Sequence, residues 1–421
     1  MVIALLQVGL LSGPRSGEFH QVGEGSSSAY INIVNAIMRC VIPGLLLTLC
    51  ISCIEPYSPV IKAESLNILV VDGYIDLQGT ASVKLTRTIA LDAGGRIPFE
   101  TGASVEIRSS DGEQFDLTET DSSIYTATNL HVNDQATYSL YIQTTSGNEY
   151  TSDDVKITKT PDIEDISFNI SGRGDEVEIR TTTTDVNPDA TGYYLFECTE
   201  TYEYHAPIYA TYKFINKTPI QRTSEEQIYT CWRELTTPTI LVNTNILNQH
   251  LISSQRVASI SKSSPKITVR YSILVKQRSI SEDEYAFRDQ LLKSTEQLGS
   301  LFAVIPGAVV GNVHSKTNQQ DYILGYFRGQ DVKAKRFFIE NSDLPSGFVS
   351  FPSSGCQVEA TCPVNIPDAG FCLKLQELGD QAIITDVLND VRGNPILYFF
   401  ASAECGDCRA VGGTTVKPVF W

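Results

Sequence analysis

The sequence predicts a mainly β protein: an N-terminal immunoglobulin-like β-sandwich, then a second β-rich domain with one capped helix and a Cys-rich C-terminal tail. Three observations point there. Tyr (19) and Phe (17) are plentiful and Thr recurs in tracts such as Thr181-Thr182-Thr183-Thr184, which is strand chemistry. Short runs alternate apolar and polar residues at period two, with turn residues between them. Only one segment combines helical spacing with a cap. The 421 residues leave room for two or three domains of roughly 100–200 residues each. A hydrophobic content of 42% with 19% charged residues is globular, not disordered.

The first domain spans 66–160. Asn67 to Ile75 reads as a buried strand. Ala81 to Thr88 alternates, with Val83 and Leu85 on one face. Ala103 to Ile107 alternates again, and Asp111-Gly112 forms a hairpin turn before Gln114 to Thr118. Thr137 to Ile142 is a further strand, and Gly147-Asn148 turns into Glu149-Tyr150-Thr151. Short strands at this spacing suit a sandwich.

Pro161 opens the second β-rich domain, 161–421. Val177 to Arg180, Thr191 to Glu197, Ile208 to Ile215, Thr239 to Val242 and Ile267 to Val275 read as strands. The helix lies near 281–299. Ser281 and Glu284 make a capping box, and Ile280 can staple onto Tyr285. Phe287, Leu291 and Leu298 fall at helical spacing, and Gly299 is a suitable stop. Tyr322 to Phe327 and Arg336 to Ile339 are expected to return to the second sheet. The tail from Gly347 to Trp421 is rich in Cys, Gly and Pro.

The leader sets the compartment. Met38-Arg39 precedes the apolar run Val41 to Leu49, a secretory signal pattern over 38–52, well short of the ~20 residues a spanning helix needs. Lipoprotein signal peptidase requires a small residue before its acceptor cysteine. Ser52 before Cys53 meets that requirement, whereas Cys50 follows Leu49 and Cys40 follows Arg39. Lipidation is therefore assigned to Cys53, with an ordinary cleaved signal peptide as the alternative. Residues 53–65 form a polar tether. Residues 1–37 read as an over-extended start ahead of Met38, or else as a long leader. The formal net charge is −17, and a chain this acidic is a poor candidate for nucleic acid, whose phosphates need clustered Lys and Arg.

Seven cysteines follow Cys53: Cys198, Cys231, Cys356, Cys362, Cys372, Cys405 and Cys408. Export implies an oxidising compartment, so all are disulfide candidates. Cys198 and Cys231 stand apart from the rest and are expected to pair. The other five are an odd number, leaving at least one free or paired elsewhere. Cys405-Gly406-Asp407-Cys408 has redox spacing but lacks a thioredoxin-like context. A structural staple of the tail outweighs a zinc knot.

No catalytic, metal or cofactor site is assigned. His131, His205, His250 and His314 sit in no ligand motif, and no Gly-x-Ser-x-Gly elbow or phosphate-binding loop occurs. Asp185, Asn187 and Asp189 begin like a calcium loop, but Ala190 stands where Gly is required and Phe196 where Glu is required. Glu197, Glu200 and Glu203 invite a catalytic reading. On a strand, Glu200 has the opposite parity to the other two, and a solvated strand face is the expectation. The protein is therefore expected not to be an enzyme.

Several segments also look familiar: Ile68 to Ile75 shortly after a lipoprotein cysteine, Tyr271 to Gln277 before the capped helix, and Gly311-Asn312-Val313 leading to Leu324-Gly325-Tyr326-Phe327. The most specific is the ending, Cys405-Gly406-Asp407-Cys408-Arg409, then Gly412-Gly413-Thr414, Lys417-Pro418 and Phe420-Trp421. In this order, over essentially all of Cys53 to Trp421, they resemble domain-of-unknown-function family 4249, lipoproteins of Bacteroidetes. The resemblance implies export and genes lying beside TonB-dependent outer-membrane receptors. It carries over no activity, ligand or functional residue. Only Glu55 follows Cys53 closely, so the face of the outer membrane stays open. The expected function is a lipid-anchored outer-membrane binding accessory of a TonB-dependent nutrient uptake receptor. The alternatives are a structural or adhesive envelope lipoprotein, or a hydrolase whose acid pair forms only in the fold. Tyr202-Glu203-Tyr204 and Tyr209 to Tyr212 are stretches that suit a glycan or peptide, although such tyrosines also pack sheets.

Overall fold

The structure, a computed structural model, describes residues 67–89, 97–184, 192–216, 218–244, 251–297, 309–318, 321–349, 355–358, 360–363 and 381–421. The leader, Cys53, the tether, the Asp185–Asp189 segment, His250, Leu298, Gly299 and Cys372 lie outside the described residues. In chain order the strands are β1 (Leu69–Asp76), β2 (Thr80–Arg87), β3 (Ser104–Ser109), β4 (Gln114–Asp121), β5 (Ile124–Thr128), β6 (Thr137–Gln143), β7 (Glu149–Ser152) and β8 (Val155–Thr158). Then come β9 (Asp165–Ile170), β10 (Glu176–Thr184), β11 (Tyr193–His205), β12 (Tyr212–Ile215), β13 (Thr218–Gln221), β14 (Thr230–Thr236), β15 (Ile240–Asn243), β16 (Leu251–Ser261) and β17 (Arg270–Ser279). Helix α1 (Glu282–Gln297) is followed by β18 (Val313–Ser315), β19 (Leu324–Gln330), β20 (Lys333–Glu340), β21 (Ala360–Pro363), β22 (Ile383–Asn389) and β23 (Pro395–Ala401).

The first module is a closed ring. Pairing runs β6-β3-β4-β5-β2-β1-β19-β8 and returns from β8 to β6, giving an eight-stranded barrel-like sheet, with β7 and β18 continuing outward from β6. Two strands turn the corners. The first half of β4 pairs with β3 and its second half with β5. The first half of β8 pairs with β6 and its second half with β19. Strands that switch sheets in this way close the ring, and the outer edge falls on β18 beyond β7. The alternation read from the sequence fills the interior: Leu69, Val71 and Ile75 of β1, Val83 and Leu85 of β2, Ile107 of β3, Leu140 of β6 and Phe327 of β19 are all buried.

One sequence expectation is corrected here. The strand near Tyr322–Phe327 does not return to the second sheet. As β19 it lies parallel to β1, from Val70 opposite Leu324 to Asp76 opposite Gln330. Pairing therefore crosses the boundary expected at residue 160. The physical reason is local. A Cβ on Gly325 would lie 2.5 Å from the Val71 carbonyl oxygen, so only glycine lets the two backbones run this close. Gly311 in turn crosses over Gly325, and a Cβ there would overlap the Gly325 carbonyl. The next side chain then acts as a strand partner. Asn312 Nδ2 donates to the Phe327 carbonyl at 2.7 Å, and the Phe327 N–H donates to Asn312 Oδ1 at 2.8 Å.

The second module centres on the sheet β14-β11-β17-β20, with β15 also on β11, and on the three-stranded sheet β16-β10-β9. The two share one hydrophobic cluster, which includes Ile166, Val177 and Ile179 from one side and Phe196, Tyr271, Ile273 and Val275 from the other. A small sheet, β13-β12-β22-β23-β21, gathers the tail. Of the strand expected over Ile208–Ile215, only Tyr212–Ile215 forms.

Helix α1 keeps the predicted cap, with the Glu284 N–H donating to Ser281 Oγ at 3.1 Å. Phe287 lies against Tyr326 at 5.2 Å between ring centroids. Leu291, expected on the buried stripe, is exposed. The helix is held by charge rather than by a continuous apolar face, as described next.

Candidate functional site

Strand β11 positions most of the side chains that could do chemistry. Its even-numbered residues from Tyr194 to Tyr204 face the core, so Cys198, Glu200, Tyr202 and Tyr204 share one side. The three glutamates accordingly do not converge. Glu197 is exposed. Glu203 accepts a hydrogen bond from Trp421 Nε1 at 2.9 Å. Glu200 corrects the expectation of a solvated face. It is buried, accepts from the Tyr271 hydroxyl at 2.7 Å and pairs with Lys266. Burial and the Glu200 carboxylate push the Tyr271 hydroxyl well above its ordinary pKa.

The disulfides also depart from expectation. Cys231 pairs with Cys408, and Cys356 with Cys405. Cys198 is buried and carries no disulfide, and burial pushes its thiol up to about 12. Register explains this. On the β11–β14 ladder, Cys231 stands opposite Tyr204, six positions along from Cys198. Cys405 and Cys408 turn to different partners rather than to one another: Cys408 rivets the tail to β14 through Cys231, and Cys405 closes a loop within the tail through Cys356. Cys362 lies on β21.

The tail continues across the sheet. Trp232 and Thr414 exchange backbone hydrogen bonds at 2.8 and 2.9 Å. Gly413 passes over the Tyr204 hydroxyl and Cys231 Cβ, where any side chain would collide. The Arg336 guanidinium lies 3.4 Å from the Phe420 ring centroid, and Arg270 sits over both Phe338 and Trp421 at 4.5 and 5.2 Å. The ending that looked most specific in the sequence is thus a docked strap.

Between strap and sheet lies a cleft of about 700 Å³, within the range of small-ligand sites. Tyr202, Tyr204 and His205 form one wall, Arg233 a second, and Cys405 with Glu404 a third. Tyr202 stands directly opposite Arg233 on the ladder. The Tyr204 hydroxyl donates to the Cys408 carbonyl at 2.6 Å, and Arg233 Nη1 donates to the Val411 carbonyl at 3.1 Å. Burial pushes both tyrosine hydroxyls up, so they remain protonated donors at neutral pH. At the rim, His205 stacks on Tyr229 with ring centroids 4.5 Å apart, and Tyr229 meets Tyr209 at 5.1 Å. Arg233 has no acidic partner among the described residues, and Glu404 has no basic one there.

A second cavity, of about 430 Å³, lies beside α1 and β19. Two of its charged groups, Glu284 and Arg328, are committed to partners behind the cavity wall. Glu284 holds Arg278 and Arg288, each at 2.8 Å, and Arg328 donates to Asp72 at 2.6 Å and to the Gly73 carbonyl. Burial alone would raise the Glu284 pKa, but the surrounding guanidiniums hold it below the usual carboxylate range. Burial drops the Arg278 pKa to about 10 against the pull of Glu284. The Glu284–Arg278 pair ties the helix to the second sheet, the Arg328–Asp72 pair ties β19 to β1, and Arg328 and Glu284 attract one another between them, which makes these residues a clamp rather than a ligand site. Elsewhere His131 lies 3.5 Å from Glu113 and His314 lies 3.1 Å from Asp153. Among the described residues no group of three or more His, Cys, Asp or Glu could hold a metal ion.

The sequence singled out Tyr202, Tyr204 and the seven cysteines after Cys53, of which the structure brings Cys356, Cys405 and Cys408 to the cleft beside the two tyrosines. Arg233 and Glu404 were missed. Their one signal is position: Arg233 is two residues past Cys231 on the same strand face, and Glu404 directly precedes Cys405.

A closed β ring joined to a second β module by a buried charge clamp, with a cleft under a disulfide-fastened strap, defines a mainly β protein with a built cavity. The chain belongs to the family described as "Domain of unknown function (DUF4249)", whose model matches residues 54–336. No curated protein matches it. Among solved structures, a chain titled "Cytokine receptor complex - Crystal form 1A" is 10% identical with a TM-score of 0.20, covering 66% of this chain and 98% of that one. A likeness that weak carries no argument.

Proposed function

We propose that the protein is a lipid-anchored binding accessory of the outer membrane, serving a TonB-dependent nutrient uptake receptor, and that it is not an enzyme. The observation that carries the binding role is the cleft beneath the strap, walled by aromatic rings and carrying a cation and an anion unpaired among the described residues. The β11 glutamates Glu197, Glu200 and Glu203 are exposed or bound to other groups and do not converge, which favours binding over acid-pair hydrolysis. The anchor rests on Ser52-Cys53 after the apolar run, and the receptor on what family resemblance implies. Within this reading the N-terminal ring is an immunoglobulin-like sandwich whose two sheets are joined at their edges by β4 and β8, a scaffold suited to presenting loops.

The test is co-purification from detergent-solubilised membranes with the anchor intact. A stoichiometric TonB-dependent receptor is the expected companion. If the protein comes out alone at native expression, and deletion leaves growth on every tested nutrient unchanged, a structural envelope role replaces this one.

A further inference from the structure

The cleft is specific about the chemistry it would accept. Its walls are mostly apolar: the rings of Tyr202 and Tyr204, the two disulfides, Pro265 and Val269. A neutral sugar presents many hydroxyls and would leave most of them unpaired on such walls, which costs binding. Set into these walls are two opposite charges. Arg233 lines the cleft, donating to the Val411 carbonyl and lying beside the Tyr202 hydroxyl, with no carboxylate partner among the described residues. The chain carries 49 acidic residues against 32 basic ones, and this guanidinium is not used by any of them among the described residues. Glu404 faces the same cleft, exposed and without a basic partner among the described residues. Neither charge has a structural duty to the other or to a neighbouring ion.

From this complementarity we infer that the cleft binds a short peptide with free ends and apolar side chains. Its terminal carboxylate meets Arg233, its terminal ammonium meets Glu404, and its side chains lie against Tyr202, Tyr204 and the disulfides. A guanidinium suits a carboxylate because its planar fork donates two parallel hydrogen bonds. The cleft's volume suits about three residues. The inference rests on the binding-protein reading and adds the ligand class to it.

The experiment is isothermal titration of the purified protein with tripeptides carrying Leu, Phe or Tyr. Each is compared with its C-terminal amide and its N-acetyl form, and with maltotriose as a neutral sugar of similar size. Free tripeptides should bind, and either blocked form should lose about ten-fold or more in affinity. In Arg233→Gln the acid-versus-amide discrimination should vanish while the amine discrimination stays. In Glu404→Gln the reverse should hold. Glu404 is exposed, so its variant folds even if the Arg233 variant does not, and Arg233→Lys should recover part of the carboxylate preference. Failure of every tripeptide to bind, tighter binding of maltotriose, or equal binding of blocked and free peptides would overturn the inference. Receptor recovery is scored separately and without peptide. A receptor recovered beside a protein that binds no peptide sinks this inference alone, whereas peptide binding with no receptor sinks the accessory role alone.

Discussion

Replacing Glu284 by Gln should destabilise the protein more than any other single charge change on α1. Glu284 and Arg278 are each 4% exposed at the side chain, and their charged atoms lie 2.8 Å apart, with Arg288 equally close on the other side. The amide cannot neutralise Arg278, whose guanidinium cannot reach water without moving the helix. Removing one partner of a buried pair costs about 3–5 kcal/mol. For the unit Ser65–Trp421, roughly 350 residues, 4 kcal/mol corresponds to a fall of about 5 °C in Tm. Urea denaturation followed by circular dichroism should show a lower midpoint at unchanged slope. Two controls sharpen the reading. Glu282→Gln, at the first position of the helix, should cost no more than about 1 kcal/mol through the helix dipole. The double variant Arg278→Met/Glu284→Leu should recover most of the loss, because a well-packed apolar pair replaces the buried ions without stranding either. A Glu284→Gln protein within about 0.5 kcal/mol of the parent would refute the clamp.

Acid should act through the same residue. Glu284 is held below its ordinary pKa in the fold, so the folded state binds fewer protons than the unfolded chain. Its contribution is complete above about pH 5 and is lost as pH falls through the depressed folded value; a urea midpoint equally sensitive to acid in Glu284→Gln would contradict this. Peptide mapping under non-reducing conditions should recover Cys231–Cys408 and Cys356–Cys405, with Cys198 unreactive to alkylation in the native state. Removing the first bridge, which spans 177 positions, should cost up to about 5 kcal/mol, and removing the second, spanning 49, up to about 4; equal midpoints with and without reductant would count against both. Asn312→Ala leaves the backbone N–H and C=O of Phe327 without their partner and should cost about 2–4 kcal/mol, measured by the same denaturation. Cys53→Ala should release the protein from membranes or stall its processing, read by detergent-phase partitioning, and unchanged retention would remove the anchor.

Much of the fold is legible as alternation. Val83 with Leu85, and Val105 with Ile107, declare an inward face that burial reproduces. The capping serine before α1 is equally local. What the sequence hides is pairing over distance. Leu324 to Phe327 looks like any strand, and nothing in its period says that its neighbour is β1 rather than β20. The glycines at 311 and 325 were noticed as a familiar pattern, yet their meaning is a backbone crossing that only three dimensions show. The same limit separated Cys231 from Cys408. Cys198 and Cys231 stood apart from the other cysteines and so suggested a bridge, but a six-residue register offset decides otherwise. For the cleft, Tyr202 and Tyr204 were visible as a cluster. Arg233 becomes their neighbour through the β11–β14 register, and Glu404 only because the tail folds back over the sheet.

The placement of β19 has a consequence for how the chain acquires its shape. Arg328 reaches back 256 positions to Asp72, and bringing such remote segments together costs about 5 kcal/mol of loop entropy before any contact offsets it. The first module therefore cannot be completed as the chain emerges from the ribosome. β1 and β8 must wait, with open edges, until the second module's central strands β11 and β17 have been made. A fragment cut near residue 160 should be an incomplete ring prone to pairing with its own copies. The first module, though distinct in architecture from the second, is therefore expected to mature only after most of the second has been synthesised, with β19 completing its ring.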